Sequence, residues 1–121
     1  MSTTVRAVRG AISCDADTVE AINGAAVEVV TTMLTRNNLA VDDVISIFFT
    51  NSPDLISGFP ATGVRLAGFE AVPLMCASEI NVPGAMTRII RVLMHVHTSL
   101  PRTDIKHVFL GEARALRSDL D

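Results

Sequence analysis

Nine of the ten basic residues in this chain are arginine, and Lys106 is the only lysine. A guanidinium is a planar fork suited to carboxylates and phosphates, so the chain is equipped to hold an anion. Codon usage at high GC content would give the same excess. Arg91 stands out by its neighbours: Ile89, Ile90, Val92 and Leu93 flank it. A charge inside an apolar strand is costly unless it is paired or hydrogen-bonded, so Arg91 needs an anion. Glu79 closely follows another apolar run and could be that partner. Two readings stand at this point. Arg91 and Glu79 form an ion pair with no chemistry, or they face a ligand together with other arginines set beside apolar elements: Arg9, Arg65 and Arg117.

Other chemistry leaves little trace. There is no glycine-rich phosphate loop, no HExxH and no nucleophile elbow, and Ser, His and Asp occur without the spacing of a triad. His95-x-His97 would set two imidazoles on one side of a strand, and with His107 they could ligate a metal. The alternative reading is a pair of surface or interface histidines. Cys14 and Cys76 fit no metal or redox spacing. No metal and no cofactor is expected. The net charge of -3 argues against nucleic acid or an anionic membrane as partner. No apolar run reaches membrane-spanning length. Residues 1–10 carry Arg6 and Arg9 without a following apolar stretch, unlike a signal peptide. The expected compartment is the reducing cytosol.

The elements that must position these groups follow from periodicity. Residues 5–12 alternate as a strand. Asp17, with Glu20 three residues on, predicts a helix start. Val19, Ile22, Ala26, Val29, Val30, Met33 and Leu34 fall on one helical face, and Asn37-Asn38 stops the helix. Residues 44–50 read as a buried strand ending in the turn Asn51-Ser52-Pro53-Asp54. Pro60 opens a short helix carrying Val64, Arg65 and Leu66, which Gly68 stops. Residues 71–77 predict a third strand, with Pro73 near its start or at an edge. Residues 87–98 suit a strand or a helix. The alternation favours a strand with Ile90, Val92, Met94 and Val96 on one face and Arg91, Leu93, His95 and His97 on the other. Residues 105–110 predict a fifth strand, and residues 114–121 a short turn or a frayed end.

The length of 121 residues predicts one domain over 1–121. Five strands and two helices, one long and one short, in this order make a mixed α/β sheet of the α+β kind, with helices on one face. The other face would be apolar and bare. With 49% hydrophobic residues and a mean hydropathy of +0.41, such a short chain has more apolar surface than its own core can bury. An obligate oligomer is expected.

The residues also resemble a family. Arg6-x-x-Arg9-Gly10-Ala11, Pro53-Asp54-Leu55, Phe59-Pro60-Ala61 with Arg65, and Val72-Pro73-x-x-Cys76-x-x-Glu79 match the trimeric α/β class of chorismate mutase. Gly84, Ile90-Arg91-Val92, His107-Val108-Phe109-Leu110, Leu116-Arg117 and Asp119-Leu120 continue the match. It runs from Arg6 to about Leu120. The resemblance implies a homotrimer with a barrel-like core, sites between subunits, and conversion of chorismate to prephenate in aromatic amino-acid biosynthesis. It implies that Arg91 serves the ether oxygen and the enolpyruvyl carboxylate, that Arg9 binds that carboxylate, and that Glu79 accepts from the ring hydroxyl with Cys76 nearby. Phe59, Ala61, Leu74 and Leu116 would line the pocket, and Arg65 and Arg117 would attract or close over the ring carboxylate. Three positions depart from the family pattern. Phe109 stands where a Tyr is usual, Thr62 where a basic residue is frequent, and Met75 where a small polar residue is expected. The alternatives are a non-catalytic ligand-binding trimer and an imine or enamine deaminase on a look-alike trimeric fold.

Overall fold

The computed structural model describes residues 2–116. Five strands are present: β1 (Thr4–Ser13), β2 (Val44–Asn51), β3 (Leu74–Ser78), β4 (Ile89–Thr98) and β5 (Val108–Leu110). They form one sheet in the order β3-β2-β4-β1-β5. The central pairs β1–β4 and β2–β4 are antiparallel, whereas β3 and β5 join the edges in parallel. The expected mixed five-stranded sheet is therefore present.

Helix α1 (Val19–Arg36) covers one face of it. Its core positions are Ile22, Ala25, Ala26, Val29, Val30, Met33 and Leu34, all buried. Val19, expected on that face, is exposed. The helix packs close because Gly10 on β1 has no side chain: a Cβ there would run into Met33 Sδ and come within 3.1 Å of Val29 Cγ2. Helix α2 (Pro60–Val64) packs against α1 at Gly63, where a Cβ would lie 2.9 Å from Asn23 Cα. Past Val64 the chain makes one wider helical turn over Arg65–Phe69, with Gly68 at φ +111°.

Several expected boundaries move, each for a local reason. The N-cap of α1 is Thr18, whose hydroxyl accepts from Ala21 N, and not Asp17. The Asp17 carboxylate is engaged elsewhere, accepting from Ile56 N and Ser57 N at 3.0 Å each. The third strand starts at Leu74, not residue 71, because Val72 N closes a turn onto Phe69 O and Pro73 has no N–H. It is an edge strand, as the proline suggested. The fifth strand shortens to three residues because Lys106 hydrogen-bonds through its N–H and C=O to the Asn37 side chain instead of a strand neighbour. The 87–98 segment is a strand from Ile89, with Ile90, Val92, Met94 and Val96 buried on the helix side.

Candidate active site

Among the described residues the opposite face of the sheet carries no α-helix, only the 3-10 turns of Gly111–Leu116 packed over Ala11, Ile89 and Phe109 at one end, and the strand registers order its side chains into rows. One row runs Ala77, Thr50, Arg91, Ala11, Phe109 across all five strands. The next runs Met75, Phe48, Leu93, Arg9. Arg9 and Arg91 thus lie diagonally on neighbouring strands, within reach of one another's ligands. Together with Gly10, Ala11, Phe48, Thr50, Val92, Leu93 and Phe109 they line a cavity of about 170 Å³.

Arg91 and Glu79 meet, the pairing that the sequence had offered as one possibility. Nε of Arg91 lies 2.9 Å from Oε2 of Glu79, close enough for an ion pair but not aligned for a hydrogen bond. The Arg91 side chain is 40% exposed and that of Glu79 21%, although Nε itself is buried. That exposure decides what the pair does for stability. A fully buried pair broken on one side costs about 3 to 5 kcal/mol, but pairs open to water contribute about 0 to 1 kcal/mol. This pair stands nearer the second class, so its charges remain available to a ligand.

The start of β4 is held firmly under Arg91. Arg88 takes a left-handed backbone, φ +54°, with its N–H donated to both oxygens of Asp54 at 2.9 and 3.2 Å. Its guanidinium donates to Asp15 O. Buried Ser52 exchanges hydrogen bonds with Ile89: its N–H donates to Ile89 O, and Ile89 N donates to its hydroxyl. On β1, Arg9 N donates to Nδ1 of His107 at 3.0 Å, which puts the neutral imidazole's proton on Nε2. His95 instead lies 3.3 Å from the Ser46 hydroxyl on the bare face, and His97 is exposed.

The remaining expected residues gather elsewhere. Phe59 and Cys76 line a second cavity of about 470 Å³ with Asn51, Leu55, Ile56, Ser57, Gly58, Ala77 and Ser78. Burial pushes the Cys76 thiol up, against the lowering influence of the Ala61 main chain and the Arg65 charge. Ala61 is buried, Leu74 and Thr62 are half-buried, and Phe59 and Arg65 are exposed. Met75 points to the bare face beside Phe48 and is exposed. Leu116 packs with Met86 against Phe109, Ala11, Ile89 and Ala113. Arg117 lies outside the described residues. The two cavities share no lining residue. Sequence reasoning missed Phe48, Thr50 and Leu93 as lining groups. Leu93 could have been found from its alternation with Arg91, whereas Phe48 and Thr50 needed the β2–β4 register.

A half-covered sheet with two arginines and a carboxylate on its bare face makes this an α/β protein with the groups that suit an anionic small molecule. The chain belongs to the family described as chorismate mutase type I, whose sequence model matches residues 5–120. It is 42% identical over 118 residues to chorismate mutase AroH of Thermus thermophilus, covering 97% of each chain. To chorismate mutase AroH of Bacillus subtilis (strain 168) it is 36% identical, covering 96% of this chain and 92% of that one. A solved chorismate mutase from Clostridium thermocellum superimposes with a TM-score of 0.89 at 41% identity, over 91% of this chain and 98% of the other.

Proposed function

We propose that the chain converts chorismate to prephenate, a step of aromatic amino-acid biosynthesis, in sites shared between the subunits of a homotrimer. The observation that carries this reading is the Arg91–Glu79 pair, with Arg9 diagonal to Arg91, on the bare sheet face of a family member. A Claisen rearrangement is unimolecular and needs neither a nucleophile nor a cofactor. The protein's task is to hold a flexible dianion in its compact form and to stabilise the charge that grows as the C–O bond breaks.

Each residue then has a task. Arg91 donates to the ether oxygen, where negative charge develops ahead of C–C bond formation, and touches the enolpyruvyl carboxylate. Arg9 binds that carboxylate from the neighbouring strand. Glu79 accepts from the ring hydroxyl. An acceleration of roughly 10⁶-fold corresponds to about 8 kcal/mol. A single placed donor supplies about 3 to 4 kcal/mol, so restraint of the substrate provides much of the remainder.

Assembly completes the site. The cavity at Arg91, about 170 Å³, is below the roughly 300 to 1,000 Å³ usual for small-molecule sites. A neighbour's Phe59, Ala61, Arg65, Leu74 and Cys76 would form the missing wall, with Thr62 and Met75 at its margins. Leu116 and Arg117 would close the site from the C-terminal side. Phe48, Met75 and Val5 are exposed large apolar residues on the strands of the bare face, a surface that second and third copies would cover. Among the described residues no helix is long and apolar enough to cross a membrane. Both cysteines are free, which suits a reducing cytosol.

The test is loss of chorismate absorbance on adding purified protein, with prephenate identified as product. A folded protein that leaves chorismate untouched overturns the reading and favours a ligand-binding trimer.

A further inference from the structure

The register that places Arg91 also places a hydroxyl beside it. Thr50 on β2 is the direct cross-strand partner of Arg91 on β4. Its Oγ1 donates to Oε2 of Glu79 at 2.7 Å, the oxygen that also faces Arg91 Nε. The Glu79 backbone is fixed independently, its N–H donating to Asn51 O at 2.9 Å and so extending the β2–β3 ladder one residue past Ser78. Main chain and one carboxylate oxygen are therefore both anchored to adjacent residues of one strand. A carboxylate held in this way cannot rotate to exchange its oxygens without breaking a charge-assisted hydrogen bond.

We infer that Thr50 is a positioning residue that pins Oε2 of Glu79 beside Arg91 and thereby assigns Oε1 to the substrate's ring hydroxyl. The inference rests on the role proposed above for Glu79. It adds a division of labour between the two oxygens, one structural and one for the ligand. It also explains how Glu79 can stand against Arg91 without neutralising it as a donor. The threonine holds Oε2 against Nε, and the terminal nitrogens are the donors proposed for the ether oxygen.

The test compares Thr50→Val, which keeps the shape and loses the donor, with Thr50→Ser, which keeps the donor, and with Thr50→Ala as a second donor-free variant. Thr50→Val and Thr50→Ala should lose about 10- to 30-fold in kcat/KM. Because the ring hydroxyl is held in both ground and transition states, most of the loss should appear in KM rather than kcat. Thr50→Ser should stay within about threefold of the parent. In a Glu79→Ala background, where no carboxylate remains to be positioned, Thr50→Val should cost nothing further. Thermal unfolding on each variant separates folding from function. If folded Thr50→Val or Thr50→Ala matches the parent in kcat/KM, or Thr50→Val is as damaging without Glu79 as with it, the inference fails. A parent protein that does not convert chorismate would overturn the function instead.

Discussion

At the residue scale the decisive group is Arg91, and its exposure sets the forecast. Since the pair with Glu79 is open to water on the arginine side, Arg91→Ala should keep its thermal midpoint within a few degrees while kcat falls by several orders of magnitude. Citrulline at position 91 keeps the shape and much of the hydrogen bonding but not the charge, so it should be nearly as damaging. Lysine should restore part of the rate only if its shorter ammonium reaches the ether oxygen. A folded Arg91→Ala trimer with parental turnover would refute the mechanism. Phe109 makes a different case. It is buried by Ala11, Ile89 and Ala113, yet its ring lines the arginine cavity. Phe109→Tyr should therefore tighten or preserve substrate binding, measured as KM, and a large loss would mean that no hydroxyl fits there. Burial, aided by the charges of Asp15 and Asp54, pushes the Cys14 thiol up to about 11. The folded form holds that proton more tightly, so its contribution to stability is intact below about pH 8.5, the ordinary thiol value, and declines as pH rises toward 11. Thermal midpoints across this alkaline range should fall less steeply for Cys14→Ala. The sequence exposed Arg91 and Glu79 because a charge in an apolar strand demands a partner. It concealed Thr50, whose relevance exists only through a cross-strand register.

At the element scale the periodic signals carried furthest. The alternation in β4 and the apolar stripe of α1 are repeated many times over, so tertiary packing had little to override. What was hidden were places where a side chain takes over a backbone partner. Asn37 occupies both polar groups of Lys106 and so delays the start of β5, and Asp17 serves the 56–57 loop rather than its own helix. No local pattern announces an amide or carboxylate engaged tens of residues away. One such contact supports the site. Asp54 holds Arg88 in its left-handed conformation at the root of β4. Asp54→Ala should destabilise the fold by about 1 to 3 kcal/mol, read by denaturant midpoint, and should lower activity by loosening the strand that carries Arg91. Gly63→Ala tests the other wall. Its Cβ would meet Asn23 Cα and Cβ at 2.9 Å each, atoms fixed by the helix backbone, so α2 must shift, at about 1 to 3 kcal/mol. An unchanged midpoint would show that the two helices are less tightly joined than this contact implies.

At the scale of the whole molecule, composition gave the earliest indication, because the apolar surplus of a short chain had to go somewhere. Part of it lies on the bare sheet face, in Val5, Phe48 and Met75, and the rest on the helices and loops, in Val19, Ile56, Phe59, Leu66, Ile80 and Val82. We expect sedimentation to give a trimer with no folded monomer at micromolar concentration, and Phe48→Glu to abolish assembly and activity together. A stable, active monomer would defeat both. How subunits meet was not readable from one chain's residues, because strand periodicity says which side chains share a face and nothing of what covers it. The partition of the lining residues between two cavities carries a genetic consequence under this shared arrangement. A lesion at Arg91 and a lesion at Phe59 damage opposite walls, so two defective alleles co-expressed in one cell should restore growth that neither supports alone. After gene duplication the same logic would let each copy lose a different wall, turning a self-sufficient enzyme into an obligate pair without any new contact having to evolve.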